Sequence, residues 1–503
     1  MRKALFLVAA ASSVLLSGWG PPKAVASDSL QETTIDGALR ARFEGASPIP
    51  VAILLQTQLL LGPRALDDFA SRNSGRARSE LRSEVVGALK SAARSEQQLL
   101  LGALDDPAGA RSLWIANAVF VSLTPEEIRS AAALDVVRYI YGMPAAPVSY
   151  LRPGAVGSVV SPRPSSPFTP SGKRVPWNLE EIGAPAAWAE GATGEGVVVA
   201  MIDNGTNYEH PDLAQRVWTN PHEVPNNGQD DDDNGLVDDY HGFDFARGRA
   251  EVTWDPSLGR GAGHGTWTSG IVLGDGTGGT VTGVAPRARL MVSIVGGRTY
   301  AMGRALEYAL EEGADVATMS FSLPGLGNVR GLWRLMADHA VAGGLVLVSG
   351  AGNFQQSAPE GIQQRIPEGI PSVISVGGVA RSLELMPYSS LGPVSWSSVA
   401  LYEDHPALIK PDVAAFPGPD YPLLRPEGPG YLDPGGPQGN SFSGPHAAGV
   451  AALVLSVAPE TPAWRVKAIL EETARDLPPE ARDLRTGSGL LDAAAAVRAA
   501  RGG

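Results

Sequence analysis

The chain of 503 residues contains no cysteine. That absence excludes disulfide bonds, zinc–thiolate and iron–sulfur sites, and a cysteine nucleophile. Lysine is also scarce: six of the 40 basic residues are Lys and the rest are Arg. Charged residues make up 18% and the net charge is −13. The chain therefore lacks the basic footprint of a nucleic-acid-binding protein, and no nucleic-acid partner is expected. No apolar run reaches 18 residues, the length that signals a membrane-spanning helix. At 44% hydrophobic residues, the composition is too apolar for a mainly disordered chain. The length suggests about two to four units.

The features that are present start with an export signal. Arg2 and Lys3 precede an almost unbroken apolar run, Ala4 to Leu16, and Ala24-Val25-Ala26 supplies small residues in A-x-A form. The run is short of the roughly 20 residues a span needs. The pattern predicts a signal peptide over 1–26, a secreted product and no membrane anchor after processing.

A proline-rich stretch then divides the remainder. Met143 to Ser171 holds Pro144, Pro147, Pro153, Pro162, Pro164, Pro167 and Pro170. Proline removes donors and fixes φ, so 144–175 reads as an exposed linker. Before it, 27–143 reads β-α-β-α-β. Val51 to Leu55 is a buried-strand candidate, and Ser74 to Leu101 is a helix with Leu81, Val85, Leu89 and Ala92 on one face. Asn117 to Leu123 is a strand. Thr124-Pro125-Glu126-Glu127 opens a second helix, and Asp135 to Tyr141 is the last strand. After the linker, short apolar runs alternate with helical segments: Gly196–Ile202, Arg289–Val295, Val316–Ser320, Gly344–Ser349 and Val373–Gly377. Such alternation implies a mostly parallel sheet covered on both faces, with functional groups at the carboxyl ends of its strands.

Three segments carry an acid, a base and a nucleophile. "GVVVAMIDNGTNYEHPDL" ends a strand at Asp203, where a carboxylate can orient an imidazole. "GAGHGTWTSGIVLG" places His264 between two glycines at a helix start. "GNSFSGPHAAGVAALVL" places Ser441 at the start of a helix, where the dipole favours developing negative charge. The order Asp203, His264, Ser441 is that of subtilisin, not of chymotrypsin or the α/β-hydrolases. Ser443 stands where the second glycine of a G-x-S-x-G elbow belongs, which disfavours an esterase of the latter fold.

These words resemble the subtilisin-like serine protease family. "NAVFVSLTPEEIRSAAALDVVRYIYG" is similar to the C-terminal half of that family's inhibitory propeptide. The resemblance implies an α/β fold: a subtilisin-like three-layer domain over 176–503 with a mostly parallel central sheet, preceded by a small α+β propeptide domain. It implies a secreted serine endopeptidase that acts on polypeptides and is held inactive by its own propeptide. The chain departs from the family pattern at Asn204, Asn440 and Phe442, where Thr or Ser, Thr and Met are usual. "VLVSGAGN" resembles the family motif that ends in the oxyanion asparagine, here Asn353. Ser320-Phe321-Ser322 and Gly350-Ala351-Gly352 match the two walls that bind an extended peptide. Arg365 directly precedes "IPEGIPSV", which resembles the family stretch lining the floor of the primary specificity pocket, where a cation would favour Asp or Glu at the cleaved position.

"NNGQDDDDNGLVDD" packs six carboxylates into Asn226 to Asp239. Asp230, Asp232, Asn234, Gly235 and Asp238 follow the first half of an EF-hand-type loop, while His241 stands where the closing Glu belongs. The loop resembles an insertion of calcium-binding members, so structural calcium is expected on Asp230, Asp232, Asn234 and Asp238. The protein is expected to be a monomer. A catalytically silent calcium- or peptide-binding scaffold of the same fold is the alternative.

Overall fold

The computed structural model describes residues 34–45, 47–144, 172–418, 420–432 and 434–502. The export signal and most of the proline-rich linker lie outside the described residues.

The N-terminal unit contains strand β1 (Ile49–Leu55), helices α1 (Ala65–Arg72) and α2 (Arg78–Ala103), strands β2 (Arg111–Leu113) and β3 (Ala118–Leu123), helix α3 (Pro125–Ala132) and strand β4 (Val137–Gly142). The strands form one antiparallel sheet in the order β2-β3-β1-β4. Thr124 and Glu127 make the reciprocal capping box expected at the start of α3, each side chain accepting the other's backbone N–H. The three-residue strand β2 and helix α1 carry too little periodicity to be read from sequence. On α2 the buried stripe is Leu81, Val85, Leu89 and Ala93, so Ala92 sits one step off it, half-buried.

The unbroken apolar run of β1 has a structural cause. Side chains alternate across a strand. Val51, Ile53 and Leu55 face a core shared with Leu100 and Ile128 of the unit's own helices. Ala52 and Leu54 face the other way, with Leu113, Phe120, Tyr139 and Tyr141, and join the core of the large domain. Both faces of this sheet are therefore covered. Each fully buried Leu or Ile contributes roughly 2 kcal/mol.

The large domain is built on seven parallel strands: β5 (Val198–Asp203), β6 (Gly242–Asp244), β7 (Arg289–Ile294), β8 (Val316–Met319), β9 (Val346–Gly350), β10 (Ile374–Gly378) and β11 (Val413–Ala415). Their order is β11-β10-β9-β8-β5-β7-β6. The strands β8 to β11 are buried at every residue, as a sheet covered on both faces requires. Its main helices are α4 (His264–Leu273), α5 (Thr299–Glu311), α6 (Val329–Ala342), α7 (Asn440–Val457) and α8 (Ala463–Thr473). The expected strands all appear, within about two residues at each end. The order places β5 between β7 and β8, so the chain leaves β5 toward one side of the sheet and later returns to the other. Such a switch point opens a crevice at the carboxyl ends of the strands, and Asp203 ends β5 there.

The N-terminal unit docks on α5 and α6. Glu307 of α5 accepts the Ile115 N–H at 2.9 Å. His339 of α6 contacts the Ile115 carbonyl through Nδ1 at 2.5 Å and accepts the Leu60 N–H on Nε2 at 3.0 Å. Arg78 at the start of α2 pairs with Asp315 at 2.6 Å. Phe69 of α1 packs edge-on against Trp464 of α8 at 5.9 Å.

Candidate active site

Asp203 and Asn204 organise one side of the crevice. The Asn204 N–H donates to Asp203 Oδ1 at 2.8 Å. The Asn204 side chain then spans the histidine loop: Nδ2 donates to the Gly261 carbonyl at 2.7 Å and Oδ1 accepts the Gly265 N–H at 3.2 Å. A Cβ on Gly265 would stand 2.2 Å from the Gly205 carbonyl, so only glycine lets these two segments meet. His264, first residue of α4, is thereby held with Nδ1 at 2.8 Å from both oxygens of Asp203. Asp203 and His264 are 2% and 5% exposed, so their contact is little screened by water. His264 Nε2 is buried and has no hydrogen-bond partner. Phe442 stacks on the ring at 5.9 Å, and Trp267 meets both rings edge-on.

Ser441 is the second residue of α7. Pro445 lies inside that helix and has no N–H, so the Ser441 carbonyl loses its usual partner four residues on. The Ser320 hydroxyl replaces it, donating to the Ser441 carbonyl at 2.9 Å. The Ser441 hydroxyl in turn donates to the Ser320 carbonyl at 3.3 Å. The nucleophile candidate is therefore tied directly to the segment that follows β8. On the other side, β9 ends at Gly350, where a Cβ would lie 2.0 Å from the Asn440 carbonyl and 3.1 Å from the Ser441 nitrogen. Asn353 follows, and its Oδ1 accepts the Asn440 N–H at 2.8 Å. Asn440 also donates to the Gly352 carbonyl and to Ser389 Oγ. Asp203, His264, Ser441 and Asn353 thus gather from four segments spread over 239 positions of sequence at one end of the sheet.

The expected walls frame this cluster. Ser320, Phe321 and Ser322 run from the end of β8, and Leu323 donates its N–H to the Ile366 carbonyl at 2.7 Å. Gly350, Ala351 and Gly352 run from the end of β9, with the Ala351 N–H on the Val376 carbonyl. The Arg365 guanidinium lies over the Phe354 ring, 3.5 Å from its centroid. Beside it, Glu368, third residue of the "IPEGIPSV" stretch, is fully buried; the sequence reading took up only the preceding Arg365.

In the acidic loop, Glu223, Asp230 and Asp232 bring ligand-type oxygens within 4.8 Å of one another. Burial raises the Glu223 carboxyl, the Asp231 N–H it accepts partly offsets this, and the neighbouring carboxylates of Asp239, Asp232 and Asp231 raise it further. Asn234 sits inside the loop, donating to Asp232 and Asp239. The Asp238 carboxylate accepts the N–H groups of Asn227 and Gly228. Glu223 escapes a sequence reading because it lies outside the D-x-D-x-N-G register.

Comparison with known proteins places the chain in a family. The sequence model of the Subtilase family matches residues 194–489. The chain is 30% identical to Subtilisin NAT of Bacillus subtilis subsp. natto over 331 residues, which cover 64% of this chain and 71% of that protein. It is 27% identical to Fervidolysin of Fervidobacterium pennivorans over 64% of this chain and 43% of that one. It is also 27% identical to a probable subtilase-type serine protease of Deinococcus radiodurans, over 58% and 38%. The matched part therefore spans less than half the length of the last two relatives. With the family match over more than half of its length, the chain belongs to the subtilase family.

Proposed function

We propose that the protein is a secreted serine endopeptidase made as a self-inhibited precursor. The observation that carries this reading is the pairing of His264 Nδ1 with Asp203, which leaves Nε2 without a partner beside the helix start that bears Ser441. A Ser hydroxyl becomes a competent nucleophile when an adjacent base takes its proton. His264 Nε2 accepts that proton as Ser441 Oγ attacks the substrate carbonyl. The same proton passes to the leaving amine, and water then hydrolyses the acyl-enzyme. Asp203 keeps the imidazole in the Nδ1–H tautomer and stabilises its cation. The Ser441 N–H and the Asn353 amide serve the tetrahedral oxyanion, with the positive end of α7 behind them. The Ser441 hydroxyl turns from the Ser320 carbonyl to His264 when substrate binds, since catalytic hydrogen bonds commonly tighten only in the complex. The backbone of 320–322 and 350–352 receives an extended polypeptide between its two walls.

The N-terminal unit acts as the inhibitory propeptide, and cleavage falls in the linker before Trp177. Its docking on α5 and α6 supports this assignment. Calcium is the cation of the acidic loop. A hard oxygen donor set suits it, and Glu223 Oε2, buried without a partner, marks where a cation is wanted. Asp230, Asp232 and Glu223 would hold the ion, which would neutralise the mutual repulsion of the loop. The function is tested by incubating the processed protein with an unstructured polypeptide. Fragments are expected from the parent and none from Ser441→Ala; equal cleavage by both would remove Ser441 from its role.

A further inference from the structure

Resting on the endopeptidase reading above, we propose that Glu368 sets specificity for the substrate residue just before the cleaved bond, selecting a cationic side chain, lysine or arginine. The two walls converge beyond Ser441. Both touch the Ser441 segment at their first residues, Ser320 and Gly350. Two residues further along, both meet the same side chain. Glu368 Oε1 accepts the Ser322 hydroxyl at 2.6 Å, and it lies 3.0 Å from where a Cβ on Gly352 would stand. Glu368 therefore closes the slot between the walls. Two residues of extended chain measure about 6.6 Å, close to the reach of a long side chain from a backbone lying at Ser441.

The carboxylate is half satisfied. Oε1 takes the Ser322 hydroxyl and the Arg365 N–H at 2.9 Å. Oε2 is buried with no hydrogen-bond partner. A buried carboxylate oxygen without a donor is costly, and a charged donor is its strongest remedy. The nearest cation does not supply one. The Arg365 guanidinium lies across the Phe354 ring and acts on Glu368 only as a charge through space, its one hydrogen bond there coming from the backbone N–H, and Phe354 itself approaches the Gly352 position to 3.0 Å. Phe354 and Glu368 thus meet the same glycine of the second wall, with Arg365 stacked on the Phe354 ring, and a lysine or arginine entering between the walls brings its cation to the Glu368 carboxylate. The same geometry disfavours Asp or Glu there, because an entering anion would meet an acceptor.

The test uses the processed protein and a series of peptides that differ only at the residue before the cleaved bond: Lys, Arg, norleucine, Phe and Glu. The parent is expected to show kcat/KM for Lys at least 10-fold above norleucine. In Glu368→Gln that ratio should fall to near 1. In Arg365→Gln, which removes the competing cation, it should rise. Because each ratio is taken on one protein sample, it is independent of how much of a variant folds. If Glu368→Gln does not fold, the parent's ratios decide alone. A parent that cleaves norleucine or Phe peptides as well as Lys peptides, prefers Glu peptides, or keeps its ratio in Glu368→Gln overturns the assignment of Glu368 but leaves the endopeptidase reading intact. A parent that cleaves none of the peptides and no unstructured polypeptide overturns both.

Discussion

His264 and His339 are both buried histidines on helices of the large domain, and they differ in what each ring nitrogen meets. His264 has Nδ1 on Asp203 and Nε2 without a partner. His339 has both nitrogens engaged by the backbone of the N-terminal unit: Nδ1 at the Ile115 carbonyl and Nε2 under the Leu60 N–H. An imidazole with a carboxylate on one side and an open nitrogen on the other is built to move a proton. An imidazole whose two nitrogens both serve peptide groups is built to hold two pieces of chain together. Burial pushes the His339 ring down to about 4, so it stays neutral and keeps its acceptor at ordinary pH.

That contrast can be broken from either side. The largest effect is expected for His264→Ala, which should lower kcat/KM on a peptide by about 10^6-fold. Stopped-time hydrolysis assays on processed protein measure it, and a loss below 100-fold would count against His264 as the base. Asn353→Ala should cost about 10^2 to 10^3-fold in kcat with little change in KM, and a change in KM alone would assign it to binding instead. His339→Leu should leave turnover by the processed domain close to that of the parent. It strips partners from the Leu60 N–H and the Ile115 carbonyl, at about 1–3 kcal/mol for each buried group left unpaired. The N-terminal unit should then leave the processed protein at least 10-fold faster, as followed by size-exclusion chromatography.

Acid should act on the same contact without mutation. His339 titrates near its ordinary 6.5 once exposed and near 4 when docked. Between those values the undocked or unfolded state binds more protons, so the contribution of His339 is complete above pH 6.5 and is lost as pH falls toward 4. The full loss amounts to about 3 kcal/mol. Release of the N-terminal unit should accelerate over that window in the parent and less so in His339→Leu. The smallest effect is expected from calcium removal: chelation should lower the melting temperature by several degrees and leave it unchanged in a variant lacking Glu223, Asp230 and Asp232.

The candidate catalytic cluster was legible in the sequence because each of its members sits in a contiguous word with a local physical reason. Gly265 permits the close approach at the histidine, β5 delivers Asp203 to a strand end, and a helix start carries Ser441. The parallel sheet was legible from its apolar runs. What escaped depends on contacts across long separations. The partner of His339 at Leu60 lies 279 positions away, and no periodicity encodes it. Glu223 precedes the acidic motif and joins it only when the loop closes. Glu368 lies in the "IPEG" that was read only for the Arg365 before it, and its meaning comes from two walls that converge on it. Phe442 was visible as a departure from the family pattern, and its contact with His264 became visible only with the fold.

The most direct test is labelling of the processed protein with a serine-directed fluorophosphonate, followed by peptide mass spectrometry. A single adduct on Ser441 is expected, one that forms in the parent, fails in Ser441→Ala, and slows greatly in His264→Ala. A folded, processed parent that takes no label, or takes it on a serine other than Ser441, would contradict it.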